Sequence, residues 1–227
     1  IPVVADFRRK DVALGGQGAP LMPGFHNAVF RSAASDRAVI NLGGIANITM
    51  LPKDLAQPVW GYDTGPANGL MDAWSFKHRG VMLDAGGAWA ASGQVDWSLL
   101  ARLLAEPYFL QAPPKSTGRE LFNLDWLARN LAGAGERARP DDVQSTLLEL
   151  SARSVAEAIK SALPAGGGVF LCGGGVHNST LVARLRALLP EFGVAPTDTL
   201  GVGADWVEAM GFAWLAQRHC HGLPGNL

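Results

Sequence analysis

The chain has 227 residues, a length that fits one large domain or two small ones. Hydrophobic residues make up 48% of it and charged residues 17%, a balance that predicts a sizeable core and excludes a disordered chain. The formal net charge is −1, and no apolar run reaches the length of about 18 residues that a membrane-spanning helix needs. We therefore expect neither nucleic acid nor a membrane as a partner.

Two further features concern the compartment of the protein and the start of its chain. Cys172 and Cys220 are too few and too far apart for a disulfide framework or a zinc motif, which predicts a reducing cytoplasm. The chain opens at Ile1 without an initiator methionine and lacks the basic segment and cleavage site of a signal peptide. We expect it to be the later part of a longer protein.

The first 30 residues contain a predicted strand and a glycine-rich segment. Pro2 to Ala5 are predicted to form the strand. The segment Gly15 to Pro20 holds glycines that permit close approach of the backbone to a ligand, although an ordinary surface loop is the favoured interpretation. His26 is predicted to be structural rather than catalytic.

A hairpin and an acidic residue follow. Apolar runs flank Gly43-Gly44 on both sides, a pattern typical of two antiparallel strands joined by a tight turn. A second short strand, Val59 to Tyr62, is predicted to end immediately before Asp63. Asp63 is therefore expected at the end of a strand and at the start of a helix, a good position for chemistry.

That helix is predicted from Pro66, which suits a first helical position, with Thr64 or Gly65 as the cap. The unpaired N–H groups of its first turn are suited to holding an anion. Three residues share its apolar face: Leu70, Met71 and Trp74.

Loops and helices alternate through the middle of the chain. Gly80 to Gly93 is predicted to be a loop, and Asp96 is predicted to cap a leucine-rich helix. Pro107 to Glu120 is a polar loop with two adjacent prolines. Then follow a helix from Asn123 to Leu131, a loop from Ala132 to Pro140 and a long amphipathic helix from Asp141.

The polar loop carries four side chains that suit phosphate or sugar, namely Lys115, Ser116, Thr117 and Arg119. A solvated loop explains the same residues equally well, so both interpretations stay open.

The last third pairs a buried-type strand with a glycine turn. The strand Gly168 to Cys172 is followed by Gly173-Gly174-Gly175 and a helix from about Ser179 to Leu189, which Asn178 is predicted to cap. Strand, glycine turn and helix form an arrangement that lets backbone approach a nucleotide, although no dinucleotide-binding or P-loop motif is present. A final helix is predicted to end near His219, with Glu208 near its start. The alternation of strands and helices predicts an α/β fold.

Six segments together resemble the anhydro-N-acetylmuramic acid kinase family. They occur in the family's order and extend over essentially the whole chain, so they are far more specific than any one glycine turn. The segments are ADFRRKDVALGGQGAPLMPGFH (Ala5–His26), NLGGIAN (Asn41–Asn47), YDTGPANGLMDAW (Tyr62–Trp74), PPKSTGRELFN (Pro113–Asn123), CGGGVHN (Cys172–Asn178) and DWVEAMGFAWLA (Asp205–Ala216).

The resemblance implies an α/β fold: an actin-like ATPase (ribonuclease H-like) domain of a two-domain sugar kinase, with a mixed β-sheet flanked by helices. It implies residues 1–36 as a remnant of the N-terminal, sugar-side domain and residues 37–227 as the C-terminal, ATP-binding domain. Whether the last helix packs back toward the N-terminal domain is left open.

The implied reaction is ATP-dependent hydrolysis of the 1,6-anhydro ring of anhydro-N-acetylmuramic acid with phosphorylation of O6. The product is N-acetylmuramic acid 6-phosphate, and the reaction serves peptidoglycan recycling in the bacterial cytoplasm. ATP with Mg²⁺ is the implied cofactor, and a homodimer is the implied assembly. No dedicated metal-binding residues are predicted.

The resemblance also assigns roles to residues. Asp63 matches the catalytic base, a role that suits a carboxylate facing the attacking water. Contacts to the sugar are implied for Glu208, Arg8 and Gln17. Contacts to the nucleotide are implied for Gly43, Gly44, Asn47, Gly65, Gly173, Gly174 and Gly175.

The sequence departs from the family pattern in two ways. Ala67 stands where most members have glycine, a small change. The family's Gly-Thr-Ser-x-Asp-Gly phosphate motif does not occur in these 227 residues, so we expect them to turn over negligibly by themselves. Two alternatives stay open: a kinase of the same fold for another amino sugar, and a non-catalytic nucleotide-binding or assembly module.

Overall fold

A computed structural model describes residues 3–132 and 138–225. Its strands are β1 (Arg37–Leu42), β2 (Ile45–Leu51), β3 (Trp60–Pro66), β4 (Gly168–Cys172) and β5 (Gly193–Pro196). Its α-helices are α1 (Phe7–Ala13), α2 (Pro23–Phe30), α3 (Asn68–Arg79), α4 (Ala88–Ser92), α5 (Trp97–Leu104), α6 (Pro107–Leu110), α7 (Leu124–Leu131), α8 (Pro140–Ala162), α9 (Ser179–Leu188) and α10 (Val207–Cys220).

The five strands form one mixed sheet in the order β3-β2-β1-β4-β5. Strand β2 is antiparallel to its neighbours β1 and β3, whereas β4 and β5 continue parallel to β1. Strand β2 is thus the one strand of this sheet that runs against the other four. The predicted hairpin, the predicted α/β class and the predicted mixed β-sheet flanked by helices are confirmed.

The long helix α8 covers one face of the sheet. It begins at Pro140, with Asp141 and Asp142 in its first turn, where a fixed φ and negative charge both favour a helix start. Fifteen of its residues are buried, because α3, α4, α5 and α9 pack around its other sides. The hydrophobic core is therefore centred on α8 and on the residues of β1 that alternate toward it: Ala38, Ile40 and Leu42.

Helices α2 and α10 cover the opposite face. Phe25 and Phe30 of α2 join Val39, Cys172 and Val207 in a smaller apolar cluster. The ring of Phe25 also lies 6.3 Å from that of Trp214 in α10. The last helix thus packs against the segment that precedes residue 37, while the division into domains at 36/37 stays a prediction.

Three predictions around Asp63 are wrong. Strand β3 does not end at Tyr62 but continues to Pro66, so Asp63 lies within the strand. Pro66 is the last residue of β3, and α3 begins two residues later without a side-chain cap. Pairing with β2 explains the longer strand, since Ile45 and Ala46 lie opposite Pro66 and Gly65.

Other boundaries also differ from expectation. Val3 to Ala5 form no strand, and Pro2 lies outside the described residues. The predicted loops at 80–93 and 107–120 contain the short helices α4 and α6. Most of the predicted loop at 132–140 lies outside the described residues. Helices α1 and α2 and strand β5 were not predicted, because short elements give weak periodicity.

The caps predicted at Asp96 and Asn178 are confirmed, and Asn123, the first residue of the predicted helix 123–131, is a further cap. Asp96, Asn123 and Asn178 each accept a hydrogen bond from a backbone amide in the first turn of the following helix. Among the described residues, no helix is long and apolar enough to cross a membrane.

Candidate active site

A row of polar side chains crosses the sheet at the carboxyl end of β1. Asp63 of β3 lies opposite Asn47 of β2, Asn47 lies opposite Asn41 of β1, and Asn41 lies opposite Cys172 of β4. Residues paired across neighbouring strands point to the same face of a sheet. Val39, two residues before Asn41, belongs to the α2 cluster, so the row lies on the face that α2 and α10 cover.

Segment 108–117 holds Asp63 by its backbone as well as by its side chain. Because β3 is an edge strand, its outer N–H and C=O groups need partners from elsewhere. The Asp63 amide donates to the carbonyl of Lys115 over 3.3 Å, and the Tyr108 hydroxyl donates to the Asp63 carbonyl. The amide of Thr117 donates to Oδ2 of the Asp63 carboxylate over 3.1 Å.

Asp63 is only 4% exposed, and burial raises the pKa of its carboxyl group above the ordinary value. The Thr117 amide, the Ser116 hydroxyl and the charge of Arg8 act in the opposite direction, whereas the charge of Glu120 adds to the increase. A buried carboxylate with a raised pKa is a stronger base than a solvated one, which suits proton abstraction near neutral pH.

Two polar atoms beside Asp63 lack a partner within the described part of the chain. They are Oδ1 of Asn47 and Oγ1 of Thr117, both of them buried atoms. Buried polar atoms normally make hydrogen bonds, so unpaired ones beside a buried carboxylate indicate a place for water or a polar ligand.

The Gly43-Gly44 turn packs against the start of α3. The Gly44 carbonyl accepts hydrogen bonds from the amides of Ala67 and Gly69, and the Gly43 carbonyl accepts one from Asn68, each over 3.0 Å. The first N–H groups of α3 are therefore already paired. The prediction that they could hold an anion is wrong.

The second glycine turn meets the first beside Asn68. The Asn68 side chain donates to the carbonyls of Leu42 and Gly43, and a Cβ on Gly175 would lie 2.6 Å from its Nδ2. Gly173 has a φ of +79°, and a Cβ there would lie 2.2 Å from Oδ1 of Asn41. Gly174 has no atom within 4 Å of its Cβ position, so it faces open space.

A cavity of about 90 Å³ connects the second turn to α10. Its lining includes Asn41, Gly173, Gly174, Asp205 and Glu208, with Met22, His26, Cys172, Ala204 and Val207 completing it. The exposed side chain of Glu208 faces this region, since its charge contributes to the raised pKa of Cys172, after the larger effect of burial.

Burial keeps the side chains of Cys172 and His26 uncharged at neutral pH. Burial raises the pKa of the Cys172 thiol to about 12, which keeps it protonated. Burial also lowers the pKa of His26 to about 3, so the ring is neutral. Its Nδ1 pairs with the Thr49 hydroxyl over 2.9 Å, in line with the predicted structural role of His26.

Arg8 lies within electrostatic reach of Asp63, and Gln17 precedes the glycine that Arg8 contacts. Arg8 is an exposed residue of α1 that donates to the carbonyl of Gly18, and its charge lowers the pKa of Asp63. The loop between them is held by the amide of Gly18, which donates to Asp11 over 2.8 Å. Gln17 is exposed on this loop.

Gly65 lies away from the open space. Its φ is +147°, and a Cβ would lie 2.7 Å from the Phe109 ring and 3.4 Å from the Ser154 hydroxyl. Packing therefore accounts for glycine here, and its assigned contact with a nucleotide stays a prediction.

Several residues of the site have little or no local indication in the sequence. Asn41 sits two residues after Val39 on one face of β1, so a polar residue ending an apolar alternation was the available indication. Tyr108 carried no indication, because its contact with Asp63 spans 45 residues. Lys115, Ser116 and Thr117 suited a phosphate- or sugar-binding loop and a solvated loop equally well.

Several features of the site bear on its fit to a nucleotide with Mg²⁺. Mg²⁺ keeps several of its waters when it is bound with a nucleotide, and the unpaired oxygen of Asn47 offers an acceptor for one of them. Gly174 leaves open space where backbone could approach phosphate or base. Among residues 3–132 and 138–225, no group of three or more His, Cys, Asp or Glu side chains forms a metal cluster. The acceptor on Asn47 and the open space beside Gly174 fit a hydrated cation carried by a nucleotide.

Comparison with protein families gives a match over the entire chain. The family model described as anhydro-N-acetylmuramic acid kinase matches residues 1–227. Curated kinases of this name are 54% identical in Xanthomonas campestris pv. campestris, 52% in Shewanella halifaxensis and 51% in Coxiella burnetii, each over 227 residues. The chain spans 59–61% of the length of these relatives.

Comparison with solved structures gives weaker likenesses. The activator of the 2-hydroxyisocaproyl-CoA dehydratase from Clostridium difficile with bound ADPNP is 18% identical, with a TM-score of 0.46 over 88% of this chain and 67% of its own. Xylulose kinase from Rhodospirillum rubrum is 16% identical, with a TM-score of 0.45 over 82% of this chain and 40% of its own.

Proposed function

The chain belongs to the anhydro-N-acetylmuramic acid kinase family, and from that membership we propose that the protein opens the 1,6-anhydro ring of anhydro-N-acetylmuramic acid with water and phosphorylates O6 with ATP. The product is N-acetylmuramic acid 6-phosphate, an intermediate of peptidoglycan recycling. One observation carries the proposal: the buried carboxylate of Asp63 lies in a polar row beside two glycine turns.

Asp63 is the proposed general base. Its carboxylate takes a proton from the water whose oxygen forms a bond to the anomeric carbon, and the bond from that carbon to O6 breaks. The released O6 takes the terminal phosphoryl group of ATP, and ADP leaves. The raised pKa of Asp63 supports this role, and the Thr117 amide fixes which carboxylate oxygen is left to face the water.

The nucleotide is proposed to lie along the two glycine turns. Gly43 and Gly44 would contact phosphate, and Gly173, Gly174 and Gly175 the nucleoside. The open space beside Gly174 supports this placement. Bound Mg²⁺ would neutralise phosphate charge, and the unpaired oxygen of Asn47 would accept a hydrogen bond from one of its waters. A contact from Gly65 remains part of the proposal without structural support.

Glu208, Arg8 and Gln17 are proposed to contact the sugar. The position of Glu208 on the cavity and the influence of Arg8 on Asp63 support the first two assignments. The proposed domain division places residues 1–36 with the sugar-side domain and residues 37–227 with the ATP-binding domain.

We also propose a cytoplasmic homodimer. Exposed apolar side chains at the end of α3 and after it, including Phe76 and Met82, are 56% and 73% exposed and support association. Sedimentation velocity of the full-length protein tests this. A single species of twice the chain mass is expected, and a monomer at micromolar concentration would contradict it.

Product analysis tests the proposed function. The full-length protein, ATP and the anhydro sugar should give a product heavier than the substrate by one water and one phosphoryl group. The open-ring sugar, supplied in parallel, should be a poor substrate. Preferential phosphorylation of the open-ring sugar would favour another amino-sugar kinase. Nucleotide binding without turnover of either sugar would favour a non-catalytic module.

A further inference from the structure

Lys115 is a buried cation in a loop that the sequence describes only as polar. It is 9% exposed, and its ammonium donates to the Tyr108 carbonyl over 3.0 Å. The rings of Tyr108 and Tyr62 lie 4.7 and 5.6 Å from the ammonium nitrogen. Lys115 forms no ion pair with any described residue, so carbonyl oxygens and ring faces balance its charge.

This arrangement connects Lys115 to Asp63 through the backbone. The Lys115 carbonyl accepts from the amide of Asp63, and two residues later the Thr117 amide donates to the Asp63 carboxylate. Tyr108 contacts both residues: its ring covers the Lys115 ammonium, and its hydroxyl donates to the Asp63 carbonyl. The buried ammonium thus ties the segment 115–117 to the edge of β3 at the level of Asp63.

A buried ammonium without an acidic partner costs free energy, because burial removes its hydration. Burial accordingly lowers the pKa of Lys115. A neutral side chain of similar length would fill the same space without that cost. The presence of a cation here therefore requires a reason other than packing.

We propose that Lys115 is a positioning residue: its ammonium, held between Tyr62 and Tyr108, keeps Ser116 and Thr117 against Asp63 and so orients the carboxylate. The inference rests on the proposed function only in calling Asp63 the general base. The geometry it describes is independent of the substrate.

The consequence for titration follows from the groups that face Asp63. Ser116, Thr117 and Arg8 of α1 lower its pKa, and Glu120 raises it. Tyr62 precedes it in β3, and Tyr108 of α6 contacts its carbonyl. Loss of the Lys115 ammonium releases the hydrogen bonds that Ser116 and Thr117 donate to the Asp63 carboxylate. Because each of these hydrogen bonds lowers the pKa of Asp63, losing them shifts that pKa upward.

The test uses Lys115→Met in the full-length protein, with Lys53→Met as the matched control. Lys53 is an exposed lysine that follows β2 at the opposite end of the sheet. Carboxyl ¹³C NMR with labelled aspartate follows the titration of Asp63, whose resonance is assigned by its loss in Asp63→Asn. A higher midpoint is expected in Lys115→Met and an unchanged midpoint in Lys53→Met.

Kinetics provide the second readout. In Lys115→Met we expect kcat to fall about 10- to 100-fold with less than about a threefold change in KM, and the acid limb of the pH–rate profile to move to higher pH. Lys115→Gln, which keeps a donor for the Tyr108 carbonyl, should shift both readouts less and replaces Lys115→Met if that variant does not fold.

The inference would be overturned if the titration midpoint of Asp63 in Lys115→Met equalled the wild-type value. If Lys115→Met does not fold, the same criterion applies to Lys115→Gln. The NMR readout needs no turnover, so failure of the proposed function would leave this result interpretable. Conversely, an active enzyme with an unshifted midpoint would reject the positioning role while the proposed function stands.

Discussion

The amide of Thr117 donates a hydrogen bond of 3.1 Å to the Asp63 carboxylate, although 54 residues separate the two in the chain. Strand β3 ends the sheet, and the segment that contains Thr117 covers its open edge. One carboxylate oxygen is held from this side, and Asn47 of β2 lies on the other. The geometry of the candidate base therefore depends on a loop as well as on the sheet.

Buried Asp63 should lower the stability of the protein when it is ionised. Because burial raises its pKa, the group favours the folded state at pH below its unfolded pKa, and this contribution is lost as pH rises through the folded value. Asp63→Asn removes the titration. We expect its free energy of unfolding, relative to wild type, to increase as pH rises above about 4, the ordinary pKa of an aspartate.

Urea unfolding at several pH values measures this difference. Asp54→Asn provides the control, since Asp54 is exposed in the turn after β2. If the free energy of unfolding of Asp63→Asn, relative to wild type, decreased as pH rises, the ionised carboxylate of Asp63 would be better stabilised than its surroundings indicate.

His26 should make the fold sensitive to acid. Its pKa is lowered from 6.5 to about 3 by burial, so the unfolded state binds a proton below pH 6.5 that the folded state does not. As pH decreases from about 6.5 to about 3, the free energy of unfolding should fall by up to about 1.4 kcal/mol for each pH unit. His26→Gln should remove this slope, whereas His221→Gln, at an exposed histidine, should keep it.

Equal pH slopes in wild type and His26→Gln, measured by chemical unfolding, would show that His26 accepts a proton without unfolding.

Gly173 and Gly174 form a matched pair for the second glycine turn. Gly173→Ala should destabilise the fold by about 1–3 kcal/mol, since it has a positive φ and its Cβ would collide with Asn41. Gly174→Ala should change stability by less than about 0.5 kcal/mol, because its Cβ meets no atom.

Nucleotide affinity adds a second prediction for Gly174. A methyl group there would project into the space proposed for the nucleotide, so Gly174→Ala should weaken ATP binding at least about tenfold while the fold is unchanged. Calorimetric titration with ATP measures this. Wild-type affinity in Gly174→Ala would place the nucleotide elsewhere.

Glu149 links α8 to α9 by a buried ion-pair network. Arg184 donates to both of its carboxylate oxygens over 2.6 and 2.8 Å, and Arg153 donates over 2.6 Å. Burial by itself would raise the pKa of Glu149, but the hydrogen bonds to Arg184 and Arg153 outweigh it and lower the pKa. This stabilisation is present above the unfolded pKa and is lost as pH falls.

Glu149→Gln should therefore cost about 1–3 kcal/mol at pH 7, because two guanidinium groups that are each about a third exposed lose their charged partner. The control Glu157→Gln changes an exposed residue of the same helix and should cost less than about 0.5 kcal/mol. Thermal unfolding of both variants measures the difference, and equal melting temperatures would exclude a structural role of the network.

Local patterns predicted the elements that local physics determines. The hairpin at Gly43-Gly44, the cap at Asn178 and the strand–turn–helix at Gly168 follow from turn chemistry and apolar runs, and all three are present. The end of β3 was misplaced because pairing with β2 outweighs the turn preference of Gly65 and Pro66.

Contacts between distant segments were beyond local patterns. The first N–H groups of α3 were predicted to be free for an anion, yet the Gly43 and Gly44 carbonyls take them. Lys115 was indistinguishable from a solvated lysine until Tyr62 and Tyr108 were seen around it. Asp63 as a candidate base came from the resemblance to a family, and its surroundings came from the fold.

The most direct test of the account is the activity of Asp63→Asn in the full-length protein. Asparagine keeps the shape of the side chain and an acceptor for Thr117 but cannot take a proton from water. With the circular dichroism spectrum and ATP affinity unchanged, ATP-dependent conversion of the anhydro sugar should fall at least about 100-fold in kcat. A kcat within tenfold of wild type would contradict the assignment of Asp63 as the base.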